Sequence, residues 1–494
     1  MKPLLALLLF SSFAIPHSSF SAPPNIILIN IDDLGYADIG PFGSKNATPH
    51  LDRMAKEGMK LTSHYAAPVC SPSRSSMMTG CYPKRVLPIP HVLFPASAVG
   101  LNPAEITVAE VLKDAGYATG MIGKWHLGDQ PEFLPTAQGF DSYLGIPYSN
   151  DMGLASEGSK SNPGQPVPQG NAKAKAGKNA KADADPETGL KGNTQPPLPM
   201  LDGGNVVERV KADGQHAFTK LYAERAVKFI REHQKQPFFL YLPHNAVHFP
   251  LYPGKEYMGK SGMGLLGDWV REVDWAVGQV LDTVRELKLD SNTLVIFTSD
   301  NGGPINHGAN NAPLRGSKGS TLEGGIRVCT IAWWPGKVAA GTQTDAITSH
   351  MDWLPTFATI GGGKTPSDRK IDGIDISPLL LGDAGSFKAR DTFYYYRGFK
   401  LEAVRSGPWK LSLGKGELYN LDSDIGEATN VAAANADQVA KLKALAEAMK
   451  DDLGLDGPTA PGVRPLGRVE HPLPLIDADG KVRPGFDGVA KMLP

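Results

Sequence analysis

Cysteine is scarce in this sequence: Cys70, Cys81 and Cys329 are the only three among 494 residues. So few cysteines exclude a disulfide-rich scaffold, and a chain of this length can instead be held together by a large hydrophobic core. The odd number leaves at least one thiol outside any intramolecular disulfide. The sequence leaves open whether Cys81 and Cys329 pair or stay free.

An excess of charge of either sign is also missing. Fifty Lys and Arg side chains accompany 51 Asp and Glu side chains, which gives a formal net charge of −1. Proteins that bind nucleic acid through its phosphates usually carry a clear basic excess, so we expect no nucleic-acid partner. Any site for an anion must therefore be built locally.

Apolar runs long enough to span a bilayer are lacking. The run from Leu4 to Phe10 follows Lys2 and precedes small residues near positions 19–22. This pattern is typical of a secretory signal peptide, and the run is too short to cross a membrane. We therefore expect residues 1–22 to be removed on export. The mature protein is expected to be soluble and periplasmic or secreted, with no membrane span.

Large apolar side chains nearly disappear between positions 155 and 197. That stretch has no aromatic residue, and Val167 and Leu190 are its only large apolar side chains. Such a composition cannot form a core, so we predict a low-complexity, mobile surface insertion. The last segment, 457–494, is rich in proline and glycine and predicts a tail that lies extended over the surface.

The rest of the chain alternates between strand and helix patterns. Asn25 to Ile31 is a continuous apolar run typical of a strand buried on both faces, and Thr107 with Glu110 predicts a capping box at a helix start. This alternation indicates an α/β fold with a large, mostly parallel central sheet over residues 23–385. Short strand patterns followed by a helix over residues 386–456 predict a smaller α+β domain with an antiparallel sheet.

Polar side chains follow four of the predicted strands. The pairs are Asp32 and Asp33, Lys124 and His126, His244 and His248, and Asp300 and Asn301. Because ligands bind outside the carboxyl ends of strands in an open parallel sheet, we expect these groups to converge. For any single pair, a helix cap or a solvated turn is the favoured interpretation, but four pairs favour one site.

The expected site combines two kinds of side chain. Oxygen ligands come from Asp32, Asp33, Asp300 and Asn301, and this set suits Ca²⁺ or Mg²⁺ better than Zn²⁺. Groups that are cationic or carry a proton are Arg74, Lys124, His126, His248 and Lys318. With a divalent ion, they could hold a tetrahedral oxyanion and stabilise its transition state, which indicates a sulfate or phosphate ester as substrate.

The stretch 65–80 places Cys70 directly before a predicted helix. Pro72 suits the first helical turn, and we expect Ser71 and Ser73 to accept hydrogen bonds from free N–H groups there. Cys70 would then face the positive end of the helix beside Arg74, which favours an anion site. A buried structural thiol at an ordinary helix start is an equally good interpretation of this stretch alone.

A resemblance to a known family adds to this interpretation. The run from Cys70 to Arg74, CSPSR, followed by Met78-Thr79-Gly80, resembles the signature of the type I, formylglycine-dependent sulfatases. Segments that resemble the metal-binding, sulfate-binding and leaving-group segments of that family are IDDLGYADIG, GKWHLG, HFPL, FTSDNGG and RGSKGSTLEGGIRV. The resemblance runs from Asn25 to about Leu453. The segment GIPYSNDMG at 145–153 is similar to that of bacterial members grouped near arylsulfatase A and N-acetylgalactosamine-6-sulfatase.

The resemblance implies an alkaline phosphatase-like α/β sandwich, with a catalytic domain at 23–385. It also implies that a formylglycine-generating enzyme oxidises Cys70 to Cα-formylglycine, whose hydrate is the nucleophile and forms a covalent sulfated enzyme. The implied ligands of the cation are Asp32, Asp33, Asp300, Asn301 and the formylglycine made from Cys70. In the implied mechanism Arg74 stabilises the ionised diol, Lys124 and Lys318 bind sulfate oxygens, His248 protonates the departing alcohol, and His126 removes the proton that starts sulfate release.

The implied activity is that of an exported sulfuric ester hydrolase acting on a sulfated carbohydrate or an aryl sulfate. Two alternatives stay open: a phosphate mono- or diester hydrolase of the same superfamily, and a non-catalytic, exported glycan-binding protein with an unmodified Cys70. Weaker candidates for substrate contact are His244, His307 and Arg315. For Tyr394 to Tyr396, packing within a strand is favoured over a platform for a sugar ring.

Overall fold

The computed structural model describes residues 22–168, 184–185, 187–383 and 385–488. Residues 1–21 of the predicted signal peptide lie outside this range, as do the middle of the predicted insertion and the last six residues. Within the described ranges, no helix has both the length and the apolar character needed to cross a membrane.

The strands form one large sheet and three small ones. In chain order they are β1 Asn25–Ile31, β2 Met59–Tyr65, β3 Val99–Gly100, β4 Ala118–Ile122, β5 Ser142–Gly145, β6 Ala184–Asp185, β7 Gly189–Leu190, β8 Leu198–Asp202, β9 Asn205–Val210, β10 Phe238–His244, β11 Thr293–Ser299, β12 Arg327–Trp333, β13 Thr342–Thr344, β14 Thr348–Ser349, β15 Thr392–Arg397, β16 Lys400–Ser406, β17 Trp409–Ser412, β18 Glu417–Asn420 and β19 Gly467–Arg468.

The α-helices are, in chain order, α1 Pro49–Glu57, α2 Cys70–Thr79, α3 Pro83–Val86, α4 Val108–Asp114, α5 Ala212–Gln215, α6 Phe218–His233, α7 Gly264–Glu286, α8 Glu323–Ile326, α9 Trp353–Gly361, α10 Ser377–Leu380 and α11 Ala436–Glu447. The predicted capping box at the start of α4 is confirmed: Thr107 Oγ1 accepts from the Glu110 N–H, and the Glu110 carboxylate accepts from the Thr107 N–H.

The large sheet has eleven strands, in the order β13-β2-β12-β11-β1-β10-β4-β5-β8-β9, and β14 also pairs with β2. Its centre, from β11 through β1, β10 and β4 to β5, is parallel. Strand β12 runs antiparallel to both β11 and β2, so β2 points in the same direction as the parallel strands. The predicted large, mostly parallel sheet is confirmed, and the carboxyl ends of β1, β2, β4, β5, β10 and β11 lie at the same edge.

Helices cover both faces of this sheet. All seven residues of β1 are buried, as the continuous apolar run predicts. Ile27, Ile29 and Ile31 belong to one core, which also contains apolar side chains of α1, α6 and α7. Ile26 and Leu28 point to the other face and belong to a second core with side chains of α2, α4 and α9.

The small C-terminal sheet has four antiparallel strands in the order β15-β16-β17-β18, and it shares a third apolar core with α11. An ion-pair cluster joins this sheet to the rest of the molecule. Lys410 of β17 places Nζ 2.8 Å from Glu323 Oε1 and 2.8 Å from Glu427 Oε1. Because Glu323 begins α8, this buried contact fixes the loop before that helix against the sheet.

The described ends of the predicted insertion are packed against the protein. The main-chain oxygens of Glu187 and Thr188 accept hydrogen bonds from Ala98 and Phe94, and Thr188 is buried. Residues 169–183 and 186 lie outside the described residues. The tail also contributes to the fold, because β19 pairs with β3 and Leu475 is buried in the second core.

Candidate active site

The residues that sequence analysis selected lie at the carboxyl edge of the large sheet. Asp32 and Asp33 follow β1, Lys124 and His126 follow β4, His248 follows β10, Asp300 and Asn301 follow β11, Cys70 and Arg74 lie on α2 after β2, and Lys318 lies in the loop between β11 and α8. Asp33, Cys70, His126, His248 and Lys318 line one cavity of about 460 Å³, and hydrogen bonds or ion pairs join the other five residues to one another and to this group. The convergence expected from the strand directions is therefore observed.

The sequence predicts that Cys70 directly precedes a helix; in the structure it is the first residue of α2, and its neighbours do not cap the helix. The Ser71 hydroxyl accepts from the Leu93 N–H at 3.2 Å, and the Ser73 hydroxyl accepts from the Ala67 N–H at 3.3 Å. No side chain caps α2. The expectation that Ser71 and Ser73 satisfy first-turn N–H groups was wrong, because both hydroxyls instead tie surrounding loops to the helix.

The Cys70 side chain lies between opposite charges. Its Sγ is 3.4 Å from Asp32 Oδ1, to which the thiol donates, and it accepts from Lys318 Nζ at 3.5 Å. Burial, and next the negative charge of Asp32, raise the pKa of this thiol well above its ordinary value. The unmodified sulfur is therefore a neutral thiol and a poor nucleophile.

Acidic oxygens surround this position. Ligand atoms of Asp32, Asp33, Cys70 and His248 all lie within 4.8 Å of one another. Asn301 donates from Nδ2 to Asp33 Oδ1 at 2.7 Å. Burial would raise the pKa of both aspartates, but Lys124 holds the pKa of Asp32 below its ordinary value, and Lys318 does the same for Asp33. Both groups are therefore carboxylates.

Two observations indicate that the site fits a divalent cation. Oδ1 of Asn301 is buried and has no hydrogen-bond donor among the described residues, so an oxygen ligand is available beside Asp33. Three buried carboxylates, Asp32, Asp33 and Asp300, face three buried or half-buried cations, Arg74, Lys124 and Lys318. These charges balance, so a divalent cation would leave the site positive and suited to an anion. Carboxylate and amide oxygens prefer Ca²⁺ or Mg²⁺.

Arg74 is fully buried and holds Asp300 in place. Its Nε and Nη2 donate to Asp300 Oδ2 at 3.1 and 2.9 Å, and its Nη1 donates to the main-chain oxygen of Lys124 at 2.5 Å. Asp300 Oδ1 in turn accepts from the main-chain N–H of Asp33 at 3.2 Å. This guanidinium therefore links the ends of β1, β4 and β11.

The two lysines each cover one aspartate. Lys124 Nζ contacts Asp32 Oδ2 and donates to Ser149 Oγ at 3.2 Å. Lys318 Nζ lies 2.7 Å from Asp33 Oδ1 and 2.8 Å from its Oδ2. Both ammonium groups therefore lie beside the atoms that would ligate a cation.

His126 has an assignable tautomer. Its Nε2 lies 2.9 Å from the main-chain oxygen of Leu93, which can only accept, so Nε2 carries the proton. Nδ1 is buried and has no partner among the described residues. Burial, and next the cations of Lys124 and Arg74, lower the pKa of His126 well below its ordinary value. The ring is therefore neutral, with a free basic nitrogen at Nδ1.

In His248 the roles of the two ring nitrogens are the reverse of those in His126. Its Nδ1 lies 2.5 Å from the main-chain oxygen of Phe249, so this nitrogen carries the proton. Its Nε2 lies 3.6 Å from Asp33 Oδ2. Nε2 is therefore the ring nitrogen that is not committed to a main-chain oxygen.

Sequence analysis missed Ser149 and Asp151, which both line the cavity. The Ser149 hydroxyl lies 3.2 Å from both Lys124 Nζ and His248 Nδ1. Asp151 has a buried Oδ1 with no hydrogen-bond partner among the described residues. The available signal was their position, because they follow β5, which ends at the same sheet edge.

The structure places the weaker candidates for substrate contact in different surroundings. His307 lines the cavity and lies against the ring of Phe249, with centroids 4.6 Å apart. His244 is buried against Tyr222 instead. Arg315 donates to the main-chain oxygen of Glu427, away from the reacting groups. The run from Tyr394 to Tyr396 packs around Tyr82, which agrees with the favoured interpretation as strand packing.

The remaining two cysteines are buried, and all three thiols are free. Cys81 Sγ accepts from Arg464 Nη2 at 3.1 Å, and Cys329 lies within β12. The question that the sequence left open is settled: Cys81 and Cys329 do not pair.

The chain is similar to known proteins over most of its length. The family profile named Sulfatase matches residues 24–363. Arylsulfatase A from Bos taurus is 40% identical over 408 residues, which cover 79% of this chain and 75% of that protein. N-acetylgalactosamine-6-sulfatase from Canis lupus familiaris is 36% identical over 419 residues, which cover 82% and 74%.

A similar crystal structure is that of Ps i-CgsB in complex with k-i-k-neocarrahexaose. It superposes with a TM-score of 0.71 at 32% sequence identity and covers 86% of this chain and 92% of that one. The alkaline phosphatase-like α/β fold implied by the sequence is confirmed. From the matched profile, these relatives and the site at the sheet edge, we conclude that the chain belongs to the sulfatase family and is a sulfuric ester hydrolase.

Proposed function

We propose that the enzyme hydrolyses sulfate esters of a sulfated carbohydrate after export and after conversion of Cys70 to Cα-formylglycine. The observation that carries this proposal is the position of Cys70, with Sγ 3.4 Å from Asp32 and 3.5 Å from Lys318 in a cavity lined by His126 and His248. The names of two relatives support the substrate class, since one is a sulfatase of N-acetylgalactosamine 6-sulfate and the other binds a neocarrahexaose.

Two groups supply the chemistry that the unmodified side chains lack. Asp32, Asp33, Asp300, Asn301 and residue 70 would hold a divalent cation, Ca²⁺ or Mg²⁺, which supplies positive charge beside the reacting oxygen. The formylglycine hydrate supplies two hydroxyl oxygens, one as nucleophile and one whose deprotonation releases sulfate. Export would rely on the signal peptide expected at residues 1–22, and the conversion requires a formylglycine-generating enzyme as partner.

The cationic side chains bind the sulfate group. Lys124 and Lys318 lie on either side of Cys70, and each can exchange an aspartate oxygen for a sulfate oxygen when a cation neutralises the aspartates. Ser149 supports Lys124 through a contact of 3.2 Å. Arg74, locked against Asp300, holds positive charge beside residue 70. Donors fixed in advance in a buried site stabilise developing negative charge more than water does.

The two histidines divide the proton transfers. His248 can donate a proton from Nε2 to the oxygen of the departing alcohol, because Nδ1 is committed to the Phe249 oxygen and Nε2 lies beside Asp33. His126 can accept a proton at Nδ1, because Nε2 is committed to the Leu93 oxygen. One ring thus acts as acid and the other as base within a single cavity.

The alternative reaction, hydrolysis of phosphate esters, is tested directly. Release of 4-nitrophenol from its sulfate and its phosphate ester is measured with the same preparation. The proposal requires a higher kcat/KM for the sulfate. A higher value for the phosphate would overturn it and favour a phosphoesterase.

The non-catalytic alternative is tested by mass spectrometry and mutation. When the protein is coexpressed with a formylglycine-generating enzyme, the tryptic peptide that contains residue 70 should be lighter than the unconverted peptide. The expected mass difference is that between cysteine and formylglycine. Cys70→Ala should abolish turnover, and the matched Cys81→Ala, at a buried thiol away from the cavity, should retain it. An unconverted peptide in an active preparation would contradict the proposal. Release of sulfate from defined sulfated oligosaccharides then identifies the sugar.

A further inference from the structure

The active-site cavity continues into a second cavity. This one has a volume of about 140 Å³ and shares Val69, His91 and Gly319 with the active-site cavity. Val69 directly precedes Cys70, and Gly319 directly follows Lys318. The Gly319 N–H donates to the main-chain oxygen of Pro68 at 2.8 Å, which fixes the floor where the two cavities meet.

A third cavity continues from the second. It has a volume of about 410 Å³, shares Gly319 and Arg397 with the second cavity, and is lined by β16, β17 and β18 of the small sheet and by the loop at 315–322. We call the second and third cavities together the groove. The groove therefore runs from the residues beside Cys70 to the face of the small sheet.

The groove is positively charged, although the whole chain has a formal net charge of −1. Its charged lining residues are the cations Lys84, Arg315, Arg397, Lys400 and Lys415 and the anions Glu402 and Glu417. Five cations against two anions leave a formal excess of three positive charges. Burial, and next the cations of Lys318, Lys191 and Arg397, lower the pKa of His91 where the groove meets the active-site cavity. A cation of the active site, Lys318, and a cation of the groove, Arg397, thus both act on His91.

Several of these cations are held in place yet remain exposed. Arg397 pairs with Glu402 at 2.6 Å, and Arg315 lies over the ring of Tyr419. Lys415 lies 3.9 Å from Glu417. Lys400 is exposed, and among the described residues no carboxylate lies within 4.0 Å of its ammonium group. Lys400 can therefore accept an anion without first breaking an ion pair, whereas Arg397 and Lys415 each have a carboxylate beside them.

We propose that the groove binds a second anionic group, a sulfate or a carboxylate, on the same saccharide chain whose sulfate ester lies at residue 70. The inference rests on the proposed function and narrows its substrate class to oligosaccharides with more than one anionic group. A saccharide is favoured over a nucleic acid because the groove opens directly from the site of ester cleavage. The small sheet thereby becomes part of substrate binding.

The test measures binding without turnover. The Cys70→Ala variant is titrated by calorimetry at low salt with a dextran sulfate hexasaccharide, with an uncharged dextran hexasaccharide, and with 4-nitrophenyl sulfate. Removing two groove charges, in Lys400→Ala/Lys415→Ala, should weaken binding of the dextran sulfate by at least about tenfold more than binding of 4-nitrophenyl sulfate. The matched double variant Lys441→Ala/Lys443→Ala removes two exposed charges on α11, outside the groove, and should not show this difference.

Three results would overturn the inference: equal weakening in both double variants, equal affinity for charged and uncharged dextran, or equally tight binding of a hexathymidylate. The last would make the groove a general polyanion surface. Because binding is measured without a nucleophile at position 70, the result does not depend on sulfatase activity. A failure of the proposed function would appear separately, in the hydrolysis assays.

Discussion

The ammonium group of Lys318 lies 2.7 Å from Oδ1 of Asp33, so a buried carboxylate that would ligate a cation is neutralised by a lysine that would bind sulfate. Asp32 has the same relationship to Lys124. Each lysine can thus stabilise the site before a cation binds and contact the substrate afterwards. These ion pairs explain how Asp32 and Asp33 remain ionised although they are buried.

The first prediction concerns Lys318→Ala. Loss of this preorganised donor should lower kcat/KM for 4-nitrophenyl sulfate by about 10² to 10³. The variant should also melt at a lower temperature in chelator, because Asp33 loses its partner, and Ca²⁺ should restore part of the difference. Lys388→Ala, at an exposed position, is the matched control. A kcat/KM near that of the wild type would remove Lys318 from the site.

The second prediction uses the leaving group to test His248. The alkoxide of a sugar is a poor leaving group, so its oxygen must be protonated as the ester bond breaks. The 4-nitrophenolate anion, by contrast, leaves readily without protonation. His248→Ala should therefore reduce desulfation of a carbohydrate by about 10² to 10⁴, the usual contribution of a general acid, and reduce hydrolysis of 4-nitrophenyl sulfate much less. His244→Ala, four residues earlier and packed against Tyr222, should not discriminate between the two substrates. Equal losses on both substrates in His248→Ala would contradict its role as acid.

Much of this arrangement is predictable from local sequence. The run that forms β1 is apolar at five of its seven positions, the exceptions being Asn25 and Asn30, and its bounds, Asn25–Ile31, match the prediction. The convergence of Asp32 and Asp300 follows from the parallel directions of β1 and β11. In both cases, the information lies within one segment or in the general geometry of parallel sheets.

What sequence reasoning missed depends on distant partners. Strand β2 contains polar residues and lacks a continuous apolar run, yet His64 is buried there because its Nε2 lies 2.9 Å from Nδ1 of His350. The hydroxyls of Ser71 and Ser73 bond to loops rather than to their own helix, and Ser149 reaches the site from the short strand β5. The Ser73 contact with Ala67 spans only six residues, but the other contacts require the position of a segment far along the chain, which no local pattern encodes.

The third prediction concerns cation removal. A chelator should lower the melting temperature, and Ca²⁺ should restore it, because a ligand that binds only the folded state stabilises it by about 2.7 kcal/mol at a free concentration of 100 times its Kd. Asn301→Leu removes the unpaired Oδ1 and should weaken Ca²⁺ binding, measured by calorimetry, whereas Asn306→Leu at the cavity rim should not. Zn²⁺ binding more tightly than Ca²⁺ would contradict a site made of oxygen ligands.

The fourth prediction concerns a carboxyl group in α7, outside the active site. Glu272 is fully buried, its Oε2 accepts from the Gly254 N–H at 2.6 Å, and its Oε1 has no partner among the described residues. Burial raises the pKa of Glu272 to about 8 from an ordinary value of 4.5. The folded state therefore prefers the protonated acid, while the unfolded chain releases this proton near pH 4.5.

This difference between the pKa of Glu272 in the folded and in the unfolded chain sets the direction in which stability changes with pH. The stability contributed by protonated Glu272 is complete below pH 4.5 and is lost as the pH rises through about 8. Glu272→Gln keeps the shape and the acceptor for Gly254 but cannot ionise. Its free energy of unfolding relative to the wild type should therefore increase between pH 5 and pH 8, by up to about 4 kcal/mol. Urea denaturation at each pH measures this, with the exposed Glu224→Gln as control; a constant difference across that range would show that Glu272 does not titrate on unfolding.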